Sequence, residues 1–219
     1  MSFNPLADLS TRDVISGGDG PSADGDQQGV APVPEDDLDQ EQIDAEIEDL
    51  FLAIKAYAQA NELEDSLAIT KGEDGRVYVA FNQNVMFGGD SPALLPGGEE
   101  ILLDVCGLLD EHADAIEEVR IQGHTARYVY NQPNPVKGDW ELSSDRARNV
   151  QFFIYENTTK IHPSRLVTES FGQWRPKGDN RTAEGMTINR RVEMIISGRN
   201  IEEELAGNSI GQLYIDMLD

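Results

Sequence analysis

Between residues 67 and 196, short apolar runs with strand character alternate with longer runs in which apolar residues recur at helical spacing. This alternation constrains the fold more than any other feature of the chain. Two strands are read first, Leu67–Thr70 and Val77–Phe81, joined by the turn-rich Lys71-Gly72-Glu73-Asp74-Gly75-Arg76 of a hairpin. A loop follows at Phe87-Gly88-Gly89-Asp90-Ser91-Pro92, then a helix over 97–113 with Ile101, Leu102, Val105, Leu108 and Leu109 on its core face. Val119–Gln122 reads as a strand. The polar loop 124–138 leads to a helix at 140–156, starting near Asp139, a favoured N-cap residue. Leu166–Ser170 is the fourth strand, Gly172–Gly185 a loop, and Val192–Ile196 the last strand. Strands and helices alternating around one sheet indicate an α/β sandwich.

The flanks differ in kind. Of the formal net charge of -24, residues 1–65 carry -15 and residues 66–200 only -4. Within 120–199 the sign reverses to +5, so an anionic ligand is sought there. Nucleic acid is excluded as a partner, because the field of the whole chain repels phosphate. Residues 1–35 are rich in Gly, Asp, Pro and Ser and read as a disordered acidic linker, too poor in apolar side chains to offset ordering entropy. Asp24, Asp26, Gln28, Gly29 and Glu35 have the spacing of a calcium loop. No helix leads into it, however, and Pro32 and Pro34 stiffen it, so it reads as a chance pattern in an acidic linker.

In 36–65, Ile43, Ile47, Leu50, Phe51, Ile54 and Ala58 form one helical stripe opposite an acidic face. The stripe either docks on its own domain or serves as a dimer seam or membrane-proximal regulatory helix. A homodimer supported by this helix, either directly or by docking to the domain near the dimer seam, is the expectation. In the tail 201–219, Ser209 and Gln212 have capping-box spacing ahead of Ile210, Leu213, Tyr214, Met217 and Leu218, so a short C-terminal helix is expected.

Cys106, the single cysteine, lies in an apolar run and reads as a small buried hydrophobe. No stretch reaches the roughly 18–20 apolar residues that span a bilayer, and the first 20 residues lack a signal peptide. Catalysis is not expected. His112, His124 and His162 are scattered without metal-ligand spacing, and neither a Gly-x-Ser-x-Gly elbow nor a phosphate-cradling glycine loop is present. No cofactor or metal is expected.

On the helix after Asp139, Leu142, Ala147, Val150, Phe153 and Ile154 share a face, and Arg146 falls inside the same arc. A guanidinium in an apolar stripe is costly unless an anion meets it. Arg190 and Arg191 open the last strand, where alternation sends one to each face. Either these arginines pair with internal acids such as Glu193 or Asp145, or they await a ligand.

Five separated segments bear on that choice. They are Phe87 through Pro96; Ile121-Gln122-Gly123-His124-Thr125; Trp140-Glu141-Leu142-Ser143-Ser144-Asp145-Arg146-Ala147-Arg148-Asn149-Val150; Phe171-Gly172-Gln173-Trp174-Arg175-Pro176 with Asn180 and Thr182; and Asn189-Arg190-Arg191-Val192-Glu193. In order and spacing they resemble the OmpA-like C-terminal domain, most closely that of the MotB stator proteins of the flagellar motor, over roughly residues 66–198. The resemblance implies a β-α-β-α-β-α-β two-layer sandwich that binds the peptide stem of peptidoglycan without catalysis. It implies that Arg146 meets a carboxylate of diaminopimelate, that Asn189, Arg190 and Arg191 line the same pocket, and that Thr125, Leu142 and Ser143 border it.

The family's Asp after Gly-His-Thr, which receives the ammonium of diaminopimelate, is Ala126 here. Either a nearby acid such as Asp139 or Glu141 replaces it, or the ligand differs, or binding is weak. The membrane helix of stator proteins is also missing, so the chain reads as their exported part, facing the cell wall from the periplasm. The stretch 36–65 then takes the place of the plug and linker, and a membrane channel protein of the MotA type is the implied partner. The competing reading is a dimerisation or regulatory module with weak or lost wall binding.

Overall fold

The computed structural model describes residues 38–201. The linker 1–35, its calcium-like spacing and the helix expected in the C-terminal tail lie outside the described residues. Helix α1 spans Gln40–Ala60. The hairpin strands are β1 (Leu67–Lys71) and β2 (Val77–Asn82), followed by the short α2 (Gln83–Met86) and α3 (Pro96–Glu111). Then come β3 (Ile116–His124), α4 (Val136–Asn157), β4 (Leu166–Gly172), α5 (Ala183–Asn189) and β5 (Arg191–Gly198).

The five strands form one sheet in the order β1-β2-β5-β3-β4. Only β3 and β4, joined through α4, run parallel. β5 lies antiparallel between β2 and β3. With α2 and α3 taken together, β2 to β5 give the expected β-α-β-α-β-α-β order. Helices α1, α3 and α4 cover one face of the sheet. Between them lie Val79, Phe81, Val119, Ile121, Val192, Met194 and Ile196, alternate strand residues that are fully or almost fully buried. Cys106 is buried in this core, and burial pushes its thiol up to about 12.

The α1 stripe docks on its own domain. Ile43, Leu50 and Ile54 are fully buried and Ile47 and Ala58 nearly so, and the first two turns lie over Gly198 of β5. Asp39 caps α1 through the Gln42 N–H, and Gln42 returns a bond to the Asp39 N–H. The reading of this stripe as a direct dimer seam is therefore corrected, because its apolar surface is already spent on the domain core.

Two local expectations also change. Asp139 is not an N-cap: α4 begins at Val136, after Pro135, and Asp139 lies in its first turn with its side chain turned into the protein. The segment before the last strand is not loop throughout, since Thr182 caps α5 by accepting from the Gly185 N–H.

Candidate functional site

The C-terminal ends of β2 and β3, the start of β5 and the first turns of α4 meet at one end of the sheet. They enclose an open cleft of about 340 Å3 lined by Gln83, Asp90, Thr125, Ala126, Tyr128, Asn134, Pro135, Gly138, Asp139, Leu142, Arg146 and Arg190. Five of the eight residues expected at the site are here: Thr125, Ala126, Leu142, Arg146 and Arg190. The other three, Ser143, Asn189 and Arg191, do not line the cleft.

Arg146 is 3% exposed. Its Nε donates to the Ser91 carbonyl (3.2 Å), Nη1 to the Gln83 Oε1 (3.0 Å) and Nη2 to the Gly89 carbonyl (2.5 Å). The guanidinium carbon sits 5.1 Å from the centre of the Phe87 ring. Three of its five N–H donors thus meet neutral oxygens. Among the described residues no carboxylate pairs with it. Burial pulls the guanidinium below its ordinary range, and Asp90, on the cleft wall, works against that shift. Gln83 holds the arginine in place while its own Nε2 donates to the Gly89 carbonyl at 2.7 Å. Internal pairing does account for Arg191, whose Nε lies 3.3 Å from the Glu193 carboxylate, and for Arg148, paired with Asp145 at 2.8 Å.

Asp139, about two turns before Arg146 on α4 and 7% exposed, lines the same cleft. Its Oδ1 accepts from Thr125 Oγ1 (2.6 Å) and Asn134 Nδ2 (2.8 Å), and its Oδ2 from the Gln173 N–H (2.9 Å). A carboxylate has about four acceptor positions, so these three bonds leave room for one more donor. Glu141, the other acid considered for the role missing at Ala126, points to solvent and pairs with Lys137, off the cleft. Asp90 adds a second carboxylate at the mouth, accepting from the Tyr128 hydroxyl at 2.9 Å. The cleft therefore presents two guanidinium groups, Arg146 and Arg190, and two carboxylates, Asp90 and Asp139.

The three absent residues build the frame. Ser143 is fully buried and its Oγ accepts from the Gly172 N–H at 3.2 Å. Asn189, fully buried, accepts from the N–H groups of Lys177 and Gly178 and donates to the Gly178 carbonyl, pinning the loop before α5. Arg191 is directed away from the cleft, to the face of the sheet that carries Glu193. Gln83, Asp90, Tyr128 and Asn134 belong to the site but carry no sequence signal beyond single polar side chains in loops or at an element's edge.

The model of the OmpA family matches residues 86–190. The chain is 29% identical over 149 residues to an uncharacterised protein, YtxE, of Bacillus subtilis, covering 67% of this chain and 58% of that protein. It is 24% identical over 158 residues to Motility protein B of the same organism, covering 72% and 59%. It thus spans less than two thirds of the length of these curated relatives. In fold it is similar to a solved MotB-like protein of Desulfovibrio vulgaris, with a TM-score of 0.61 at 23% identity, covering 74% of this chain and 96% of that one. On the matched motifs, the shared fold and the relatives, residues 86–190 form a domain of the OmpA family.

Proposed function

We propose that the chain is a non-catalytic cell-wall anchor whose cleft holds the peptide stem of peptidoglycan. The observation that carries this reading is Arg146: a buried guanidinium on the wall of an open cleft, satisfied only by neutral oxygens. A ligand carboxylate supplies the missing counter-charge, and a charge-assisted bond of this kind contributes about 1.5–3 kcal/mol. Asp139 takes the ammonium that the family's aspartate receives, so the acid has moved from position 126 to the first turn of α4. A ligand group carrying both a carboxylate and an ammonium, as diaminopimelate does, matches the two signs of charge on the walls. Thr125 and Leu142 border the stem, and Arg190 closes the cleft beside Arg146.

The similarity to Motility protein B supports a narrower reading, the exported part of a MotB-like stator subunit facing the wall from the periplasm. In that setting α1 occupies the plug and linker region. The partners are a membrane protein of the MotA type and a second copy of the chain, which meets it through surfaces other than the buried α1 stripe. Sedimentation with insoluble peptidoglycan tests the anchor. The chain should pellet with the wall, and Arg146→Ala, checked for folding by circular dichroism, should stay in solution. Pelleting that survives Arg146→Ala removes the cleft from the account.

The competing reading, a regulatory module that has lost wall binding, rests on Ala126. Ala126→Asp separates the two. Wall affinity rising from nothing measurable favours the module, and binding already present and not improved favours the anchor.

A further inference from the structure

The face of the sheet opposite the three large helices holds a second polar construction that the cleft does not use. His124, at the end of β3, is 2% exposed, and neither of its ring nitrogens has a hydrogen-bond partner among the described residues. Its ring stacks on Phe171, with centres 5.3 Å apart, and Arg175 lies on the same phenyl ring with its guanidinium carbon 3.5 Å from the centre. Beside this ladder, Glu193 of β5 accepts from Arg191 and Lys177, and its Oε2 comes within 3.8 Å of the His124 Nε2. Two cations, Lys177 and Arg191, therefore meet one carboxylate, and Arg175 lines the same groove. The Gln122 amide, the next polar group along β3, is occupied by Glu169 at 2.7 Å. His124, Arg175, Lys177, Arg191, Glu193 and Tyr78 are among the residues lining an open groove of about 290 Å3.

We propose that this groove is a second binding site, separate from the cleft, for a small oxyanion of the carboxylate or phosphate class, held by the His124 N–H together with Arg175 and Lys177. The charge balance selects the sign. A cation finds no spare carboxylate, because Glu193 already serves two cations, whereas an anion meets cations in excess. The buried imidazole supplies a directed neutral donor, which pairs with an oxyanion without requiring the ring to be charged. Burial, with Arg191, Lys177 and Arg175 adding to it, holds the ring down to about 3, so it enters any complex at neutral pH as a neutral donor. Arg175 and Lys177 are both exposed at the groove, where a ligand arriving from solvent reaches them.

The chain has three histidines, which makes the test direct. His112 is paired with Glu46 at 2.6 Å and His162 with Ser164 at 2.8 Å, so both serve as internal references. The full chain, labelled with nitrogen-15, is titrated at fixed pH and ionic strength with inorganic phosphate and, separately, with acetate, while the ring nitrogens are followed by NMR. The His124 signals should move saturably and the other two should not. Movement with phosphate alone assigns the site to phosphate, movement with acetate alone assigns it to a carboxylate, and either supports the site. Arg175→Gln and Lys177→Gln should each weaken binding by about fivefold or more, as loss of a charged contact requires. Arg146→Ala should leave it unchanged, which keeps this test independent of the cleft. His124 signals unmoved by both anions, or affinity undiminished in both groove variants, would overturn the proposal.

Discussion

Thr125 donates its hydroxyl proton to Asp139, Oγ1 to Oδ1 at 2.6 Å, and this bond ties the end of β3 to the first turn of α4. Asn134 and Gln173 converge on the same carboxylate, so one side chain joins the strand end, the loop between β3 and α4, the helix and the segment after β4. Asp139→Asn replaces an acceptor with a donor opposite one of these donors. We expect a loss of about 1–3 kcal/mol in urea denaturation, since a buried donor is left unmatched. Weaker sedimentation with peptidoglycan should accompany it.

Gly123 lets α4 lie directly on β3. A Cβ at this position would meet the Ser143 carbonyl oxygen at 1.9 Å, and backbone cannot yield as a flexible side chain can. Gly123→Ala should cost about 1–3 kcal/mol or more by overpacking and should blunt wall binding, because α4 carries both Asp139 and Arg146. A urea midpoint equal to that of the natural chain would contradict this account of the strand–helix contact.

Leu50, on the inner face of α1, is fully buried. Leu50→Ala should destabilise the fold by about 2–5 kcal/mol, the usual range for removing a large aliphatic side chain from a core. If the stripe instead joined two chains, the variant would alter the molecular mass seen by light scattering and leave the unfolding midpoint of the dilute protein almost unchanged.

His124 gives the fold a dependence on acid. Its folded value is lowered to about 3, against about 6.5 when the chain is unfolded. Above pH ~6.5 both states hold a neutral ring and the contribution to stability is intact; below it the unfolded state gains a proton that the folded state refuses. Stability should therefore fall as the pH drops from ~6.5 towards 5, before most carboxylates titrate. The slope of the urea midpoint against pH in that window should be smaller in His124→Phe than in the natural chain.

Much of this architecture is legible in the sequence, because its signals are local. The residues read as strands at 67–70, 77–81, 119–122, 166–170 and 192–196 all lie within observed strands, and the α1 stripe supplies five core residues. The short α2 and α5 are too brief to develop an apolar period, and α5 is marked only by its Thr182 cap. Arg146 could be found because a charge in an apolar arc violates the helix pattern. Gln83, Asp90, Tyr128 and Asn134 break no local pattern and become a site only when the chain closes. Asn189 and Ser143 illustrate the reverse case: they belong to the recognised motifs, yet in this structure their polar atoms hold backbone together rather than facing the cleft.

Calorimetric titration of the chain with a soluble stem peptide containing diaminopimelate, run in parallel on Arg146→Ala and on the natural chain, tests the role of Arg146 most directly. The natural chain should bind with one site per molecule, and the folded variant should lose at least about tenfold in affinity, as loss of a charge-assisted contact of about 1.5–3 kcal/mol requires. Equal affinity in the two proteins, with both shown to be folded, would contradict the assignment of Arg146 and its cleft to the wall peptide.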